Sequence, residues 1–144
     1  MPKKIIAVPA TFLFSTTIEV QKSDVNMGDH LAAEQVLRIA NVVQRSYVKH
    51  LGYKDSVNLE DGGLIMAYSE LAFLAEAMCG DQLKFELAIG NMGDKSFDYV
   101  HRVTNLTQGG EVARVLNTMV FFDYSVRKVG SLPETLKNRL LGNV

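Results

Sequence analysis

The stretch SDVNMGDHLAAEQVLRIANVVQ, residues 23–44, begins as a polar loop and continues directly into a helix. Its first twelve residues hold six polar side chains suited to chemistry, which are Ser23, Asp24, Asn26, Asp29, His30 and Glu34. A helix N-terminus needs only one good capping residue, and Asp29 is predicted to fill that role. The chain has only three histidines. The excess of polar residues therefore indicates a functional site at the helix entrance.

The helix is predicted from His30 to Leu51, because apolar residues recur on one face at helical spacing. These residues are Leu31, Ala32, Val36, Ile39, Ala40, Val43 and Tyr47. Gly52 then follows as a C′ glycine would. Since the apolar arc covers about half of the helix circumference, it indicates a helix wrapped by a sheet rather than one lying on a surface.

Four other stretches are predicted to be strands, because they alternate or are rich in β-branched and aromatic residues. They are Thr11 to Lys22, residues 83–89, residues 97–103, and Val112 to Tyr124. Leu64 to Cys79 stays ambiguous, since its composition favours a helix while its alternation is poor. A short tail helix is predicted from Pro133 to Leu141. This order of elements predicts a single α+β domain spanning residues 1–144, with one helix for a sheet to wrap.

Composition excludes several classes of function. The net charge of -1, from 15 basic and 16 acidic residues, argues against binding nucleic acid or an anionic membrane surface. No run is long enough to span a bilayer. Cys79 is the only cysteine, which rules out an internal disulfide and fits a cytoplasmic location. Lys3 and Lys4 precede an apolar stretch as in a signal peptide, but Pro9 interrupts it, so secretion is not expected.

The string from Asp24 to Leu31 resembles a motif of the hotdog-fold acyl-CoA thioesterases related to 4-hydroxybenzoyl-CoA thioesterase. Later landmarks also match, namely LGY at 51–53, the GD turn at 80–81, and VFFDY at 120–124 before a basic pair. The resemblance covers roughly residues 11–140. It implies a curved antiparallel sheet wrapped around one long central helix, with Leu64 to Cys79 as a strand. It also implies hydrolysis of an acyl-CoA thioester with neither a metal nor another cofactor.

Many members of this family carry a catalytic aspartate at the position that aligns with Asn26. An asparagine cannot act as a carboxylate nucleophile or general base. Glu34, one helical turn after His30, is therefore expected to supply the catalytic carboxylate. Asn26 and His30 are expected to hydrogen-bond the carboxylate, the water or the substrate, and Asp24 to orient His30.

The start of the central helix is also expected to bind the substrate. Free backbone N–H groups and the positive end of the helix dipole would polarise a thioester carbonyl placed there. The residues around Gly28, Asp29 and Leu31 are expected to provide this oxyanion hole. Met27, Met66, Met78 and Met119 are expected in the core or in the lining of the acyl pocket.

Structural interpretations and other functions stay open at this point. Glu34 can pair with Arg38 at i, i+4, Asp24 can hold the loop through an Asx turn, and His30 can be structural. A non-catalytic acyl-CoA binding module is the first alternative function, because Asn26 replaces the usual aspartate. An enoyl-CoA hydratase is the second, although Met27 replaces the proline of its Asp-x-Asn-Pro-x-His string and His30 lies one residue too far on.

The segment from Leu64 to Cys79 carries only two charged residues, Glu70 and Glu76. A long strand with few charges is better paired than exposed at a sheet edge. In the family that the chain resembles, the matching strand joins two protomers into one continuous sheet. The resemblance therefore implies a homodimer, or a homotetramer formed by two such dimers, with CoA touching both subunits.

Overall fold

The computed structural model describes residues 5–143, and these form a six-stranded antiparallel sheet with one long helix packed against it. In chain order the strands and α-helices are β1 (Phe14–Glu19), α1 (Ala33–His50), β2 (Gly63–Phe73), β3 (Gln82–Gly90), β4 (Ser96–Asn105), β5 (Glu111–Asp123), β6 (Lys128–Val129) and α2 (Glu134–Leu140), and a short 3-10 helix (Lys22–Asp24) lies between β1 and α1. The strand order is β1-β3-β4-β5-β2, and β6 also pairs with β5. The α+β prediction is confirmed. Lys3 and Lys4 of the signal-like segment lie outside the described residues.

The core lies between α1 and the sheet. The helix face predicted to be apolar is buried, including Val36, Ala40 and Tyr47, whereas Arg38 and Arg45 are exposed. Opposite this face, most of the residues of β3 and β4 predicted to share one side of the sheet are buried, and Asp98 and Val100 on the other side of β4 are buried as well. No helix in the described part of the chain is long and apolar enough to cross a membrane.

The central helix begins at Ala33 rather than at the predicted His30. His30 and Leu31 are held in extended bridges, to Met78 and Val25 respectively, so neither can adopt helical geometry. Asp29 has a left-handed φ of 61° and does not cap the helix, which leaves Ala32 as an N-cap with no capping side chain. The predicted N-cap was therefore wrong. Gly52, with φ of 101° directly after the C-cap residue, ends the helix as predicted.

β2 is a strand at the edge of the sheet, and it ends at Phe73 rather than at Cys79. The backbone N–H groups of Leu74 and Ala75 both donate to Val112 O, at 2.7 and 3.2 Å. The chain then leaves the sheet, and Ala77 O accepts the Leu31 N–H at 2.8 Å. Residues 74–78, which we term the crossing segment, therefore run from the sheet edge to the entrance of α1.

A buried polar cluster joins the middle of α1 to the sheet. Gln44 Oε1 accepts hydrogen bonds from Asn117 Nδ2 at 2.7 Å and from His101 Nε2 at 3.0 Å. Because Gln44 Oε1 can only accept, the hydrogen of His101 must sit on Nε2. Burial lowers the pKa of His101 to about 3, so the ring is neutral. Its Nδ1 has no hydrogen-bond partner among residues 5–143.

This cluster predicts that stability falls in mild acid. The unfolded His101 takes up a proton near pH 6.5, whereas the folded residue resists protonation down to about pH 3. The contribution of neutral His101 to the free energy of unfolding is complete above pH 6.5. It is lost as the pH falls from 6.5 toward 3, by up to about 1.4 kcal/mol per pH unit. Urea denaturation across the window should show this slope.

Two substitutions assign the slope to one histidine. His101→Gln should lower stability overall and flatten the pH dependence by about one proton. His50→Gln, at an exposed position near the end of α1, should leave the slope as it is in the parent protein. An unchanged slope in His101→Gln would contradict the assignment.

Candidate active site

A cavity of about 370 Å³ lies at the entrance of α1. Asn26, His30 and Leu31 line it from the loop before the helix, and Phe73 together with the crossing residues Leu74, Ala75 and Glu76 line it from the sheet edge. The structure thus brings together Asn26, His30 and Leu31 from the residues predicted to form the site. Gly28 and Asp29 are exposed beside this cavity and do not line it.

Asn26 organises the loop with its side-chain oxygen. Oδ1 accepts hydrogen bonds from the backbone N–H groups of Gly28 at 3.0 Å and His30 at 3.3 Å. These two donors fix which end of the amide is oxygen, since a nitrogen there would face other N–H groups. The Nδ2 group of Asn26 therefore remains as a donor on a cavity-lining residue.

His30 pairs with a carboxylate that the sequence interpretation did not select. His30 Nε2 lies 3.3 Å from Glu76 Oε2 on the crossing segment. Glu76 was noted only as one of two charges in a predicted strand, and it reaches His30 because β2 ends three residues earlier. An acidic residue in an otherwise apolar stretch was the only available signal.

Glu34 does not reach this cavity within the protomer. It is exposed in the first turn of α1, and it forms neither an ion pair nor a side-chain hydrogen bond among residues 5–143. The alternative pairing with Arg38 is also not formed. Arg38 instead donates to Gln35 Oε1 at 2.7 Å and to Asp24 Oδ1 at 3.3 Å.

Asp24 is a structural residue of the loop. Its buried carboxylate accepts the Gln21 N–H at 2.8 Å and the Arg38 guanidinium, and its carbonyl oxygen accepts the Ala32 N–H at 3.0 Å. These contacts tie the loop to the start of α1. Because both carboxylate oxygens face these groups, the expectation that Asp24 orients His30 was wrong.

The free N–H donors lie later in the chain than expected. The N–H groups from Gly28 to Leu31 all donate within the protein, three to Asn26 and the last to Ala77 O. Because these N–H groups are already paired, they do not form the oxyanion hole that was expected there. At the start of α1, the N–H groups of Ala33 and Glu34 have no acceptor in the described part of the chain.

Asp81 anchors the crossing segment from its far end. Its carboxylate accepts the Met78 N–H at 2.9 Å, the Asn105 amide at 2.9 Å and the Gln108 amide at 3.4 Å. The Met78 N–H, followed by the Asn105 amide, holds the pKa of the Asp81 carboxyl below its usual range. This buried anchor and the Leu31 N–H to Ala77 O bond together position Glu76 beside His30.

A second cavity, of about 320 Å³, lies at the middle of α1 near the start of β2. Its lining includes Asn41, Gln44, Arg45, Met66, Tyr99 and Met119. The Tyr99 hydroxyl is buried and has no hydrogen-bond partner among residues 5–143. Burial raises the pKa of Tyr99 above its usual range, so the hydroxyl keeps its proton. Leaving such a group unpaired costs about 1–3 kcal/mol.

Two of the four methionines line the second cavity, and the other two lie on the surface. Met66 and Met119 line the second cavity, and both also contact the hydrophobic core. Met27 is fully exposed and Met78 is 45% exposed, so neither lies in the core. Among residues 5–143, no group of three or more His, Cys, Asp or Glu side chains is placed to hold a metal ion.

A family model described as the thioesterase-like superfamily matches residues 20–140 of the sequence. The chain belongs to this superfamily. No curated protein matches the sequence significantly. The confirmed family agrees with the resemblance carried by the loop from Asp24 to Leu31.

Solved structures share the fold at low sequence identity. A 1,4-dihydroxy-2-naphthoyl-CoA thioesterase from Synechocystis aligns with TM-score 0.77 and 20% identity, over 88% of this chain and 94% of the other. A mutant 4-hydroxybenzoyl-CoA thioesterase complexed with 4-hydroxybenzoyl-CoA aligns with TM-score 0.79 and 19% identity, over 88% of this chain and 97% of the other. A thioesterase from Thermus thermophilus complexed with coenzyme A and Zn aligns with TM-score 0.78 and 21% identity, over 90% of this chain and 98% of the other. The predicted hotdog fold is confirmed.

Proposed function

We propose that this protein hydrolyses acyl-CoA thioesters to a free acid and CoA. The observation that carries the proposal is the pairing of His30 with Glu76 on the cavity at the start of the central helix. The superfamily supports it, and so do the similar structures, which are named as thioesterases and in two cases hold CoA or a CoA ester.

The His30–Glu76 pair can activate a water molecule. When His30 donates its Nε2 hydrogen to the Glu76 carboxylate, which lies 3.3 Å away, Nδ1 is the ring nitrogen that can take a proton from water. The water oxygen bonds to the thioester carbon, and the carbonyl electrons move onto oxygen. When the intermediate collapses, the C–S bond breaks, and the CoA thiolate leaves and takes up the proton held by His30. Glu76 stabilises the imidazolium between these two steps.

The oxyanion needs donors. One is on Asn26, which lines the cavity, and a second set follows Leu31, another lining residue, by two and three positions. Asn26 Nδ2 is free to donate because its partner oxygen is held by the loop. The N–H groups of Ala33 and Glu34 add the positive end of the α1 dipole. An asparagine therefore suits position 26, where its oxygen builds the loop and its amide nitrogen meets the developing charge.

Substitution of two glutamates, one at a time, distinguishes a catalytic role of Glu76 from the catalytic role predicted for Glu34 on the helix. Glu76→Gln should lower kcat by about 10²–10⁴, because the His30 base that Glu76 supports contributes on that scale. Glu34→Gln should stay within a few-fold of the parent. The measurement is release of free thiol from a panel of acyl-CoA and acyl-carrier-protein thioesters. The reverse result would assign the base to Glu34.

The same panel tests the other functions. A folded protein that binds CoA esters but hydrolyses none of them would be the non-catalytic binding module. Hydration of an enoyl-CoA without thiol release would favour the hydratase. Either result would overturn the proposal of thioester hydrolysis.

Asn26→Asp distinguishes a donor from a nucleophile at this position. Aspartate retains an oxygen for the Gly28 and His30 N–H groups but loses the amide donor. We expect the thermal midpoint to change little and kcat to fall by about 10²–10³, the cost of removing one oxyanion donor. A rise in kcat would show that a carboxylate nucleophile is the better catalyst here.

We also propose that the protein forms a homodimer through β2, which can pair again into a homotetramer. β2 pairs with β5 on one side, and its other side has no partner strand in the described chain. Because the Leu74 N–H points to β5, the alternate N–H groups of Leu71 and Phe73 point to the free edge. An edge of eleven residues with one charge favours pairing with a second copy.

Tyr68 tests this assembly without disturbing the protomer core. It lies at the midpoint of β2 and is 52% exposed. In an antiparallel pair of β2 strands, Tyr68→Lys places two like charges side by side, which should shift the protein toward a 15.9 kDa monomer. Tyr68→Gln is the neutral control. Light scattering gives the mass, and a parent protein that is a folded, active monomer would refute the dimer.

The proposed location is the cytoplasm. Cys79, the only cysteine, is free and exposed. An unpaired surface thiol suits a reducing compartment. The acyl-CoA substrate proposed above is consistent with that setting.

A further inference from the structure

We infer that the second cavity, at the middle of α1, binds an oxygen atom that accepts hydrogen bonds at the far end of the substrate's acyl group. The preferred substrates would then be acyl-CoA esters that carry a ketone, carboxylate or phenolate oxygen remote from the thioester. This inference rests on the proposed thioesterase function and on pairing of β2 with a second copy.

The first argument is the imbalance of donors and acceptors in this cavity. Gln44 Oε1 already accepts two hydrogen bonds, and Asn41 Oδ1 accepts one from Gln44 Nε2 at 3.2 Å. The Asn41 amide nitrogen and the second Gln44 N–H remain as donors. Arg45, on the rim, forms no ion pair among residues 5–143, and no carboxylate lines the cavity. The cavity therefore suits an acceptor.

The second argument is Tyr99. This residue is 1% exposed, it lines the cavity, and its hydroxyl has no partner within the described chain. Buried hydroxyl groups are nearly always hydrogen-bonded. Met66 and Met119 give the same cavity apolar walls that an acyl chain can pack against. An acyl group with an oxygen at its end would contact these walls and satisfy Tyr99.

The third argument is where the two cavities lie on β2. The helix-entrance cavity borders Phe73 at one end of this strand, and the second cavity borders Met66 toward the other end. When two copies of an edge strand pair antiparallel, the end of one lies beside the start of the other. Pairing along the whole of β2 thus places the His30–Glu76 cavity of one protomer next to the second cavity of its partner.

Substrate specificity follows from the hydrogen-bond donors that an apolar acyl group would leave unpaired. An alkyl end placed in this cavity would exclude water from the Tyr99 hydroxyl and the amide donors, and it could not accept their hydrogen bonds itself. Sites built to hydrogen-bond a substrate group discriminate strongly against analogues that lack it. We expect the protein to prefer the oxygen-ended ester of a length-matched pair by about 10–100-fold in kcat/KM.

The test compares two acyl-CoA esters of equal chain length, one ending in a methyl group and one in a ketone. Tyr99→Phe removes the hydroxyl and retains the ring, which packs edge-on against Phe97. It should reduce the preference for the ketone ester by about tenfold or more. Tyr47→Phe is the matched control, because Tyr47 is equally buried but its hydroxyl already donates to Leu140 O at 2.7 Å. This control should leave the preference unchanged.

The outcomes separate this inference from the proposed function. If the parent protein hydrolyses neither these two esters nor any other thioester of the panel, the thioesterase proposal fails, and the ratio of the two Kd values by calorimetry still tests the cavity. A loss of that ratio in Tyr99→Phe supports the inference. Equal losses for both esters would mean that the cavity holds part of CoA, and an unchanged ratio would mean that it contacts neither. Both results overturn the inference.

Discussion

The contact of Gln44 with His101 and Asn117 determines how the central helix sits in the sheet. One oxygen on α1 accepts hydrogen bonds from β4 and from β5, in a position closed to water. Rotation or sliding of α1 would leave these three groups unpaired, which is costly in a low-dielectric core. The cluster thereby sets which helix residues face the sheet. It brings Asn41 and Arg45 to the second cavity and directs the start of α1 toward the crossing segment.

The helix entrance depends on a second set of contacts, all of them between backbone groups and a few anchoring side chains. Asp24 and Asn26 hold the loop, Asp81 holds the end of the crossing segment, and the Leu31 N–H joins the two. None of these bonds requires the pair on the cavity itself. His30 and Glu76 are therefore placed by a frame that is independent of their own chemistry, and either can be replaced without removing the frame.

The fold could be predicted from the sequence because its signals are periodic and local. Leu83, Phe85 and Leu87 alternate, and the apolar face of α1 repeats at helical spacing. The candidate site was only partly predictable, for a reason that is also physical. Asn26 and His30 belong to one short motif, but Glu76 meets His30 across 46 positions of the chain only because β2 ends at Phe73. That ending depends on bonds to Val112, which no local pattern reveals. Glu34 was favoured because helical spacing is visible in a sequence, whereas the path of the crossing segment is not.

The free edge of β2 also matters for how the chain reaches its native state. A newly made protomer displays a row of unsatisfied backbone groups along eleven residues, with Ile65, Tyr68 and Phe73 exposed beside them. Any extended chain can pair with such an edge, so the proposed pairing of two folded copies would compete with pairing to unfolded neighbours. Protein concentration then acts in two directions during folding. A higher concentration would shorten the lifetime of the open edge through the proposed pairing of two copies, and it would increase the supply of wrong partners while most chains are still unfolded.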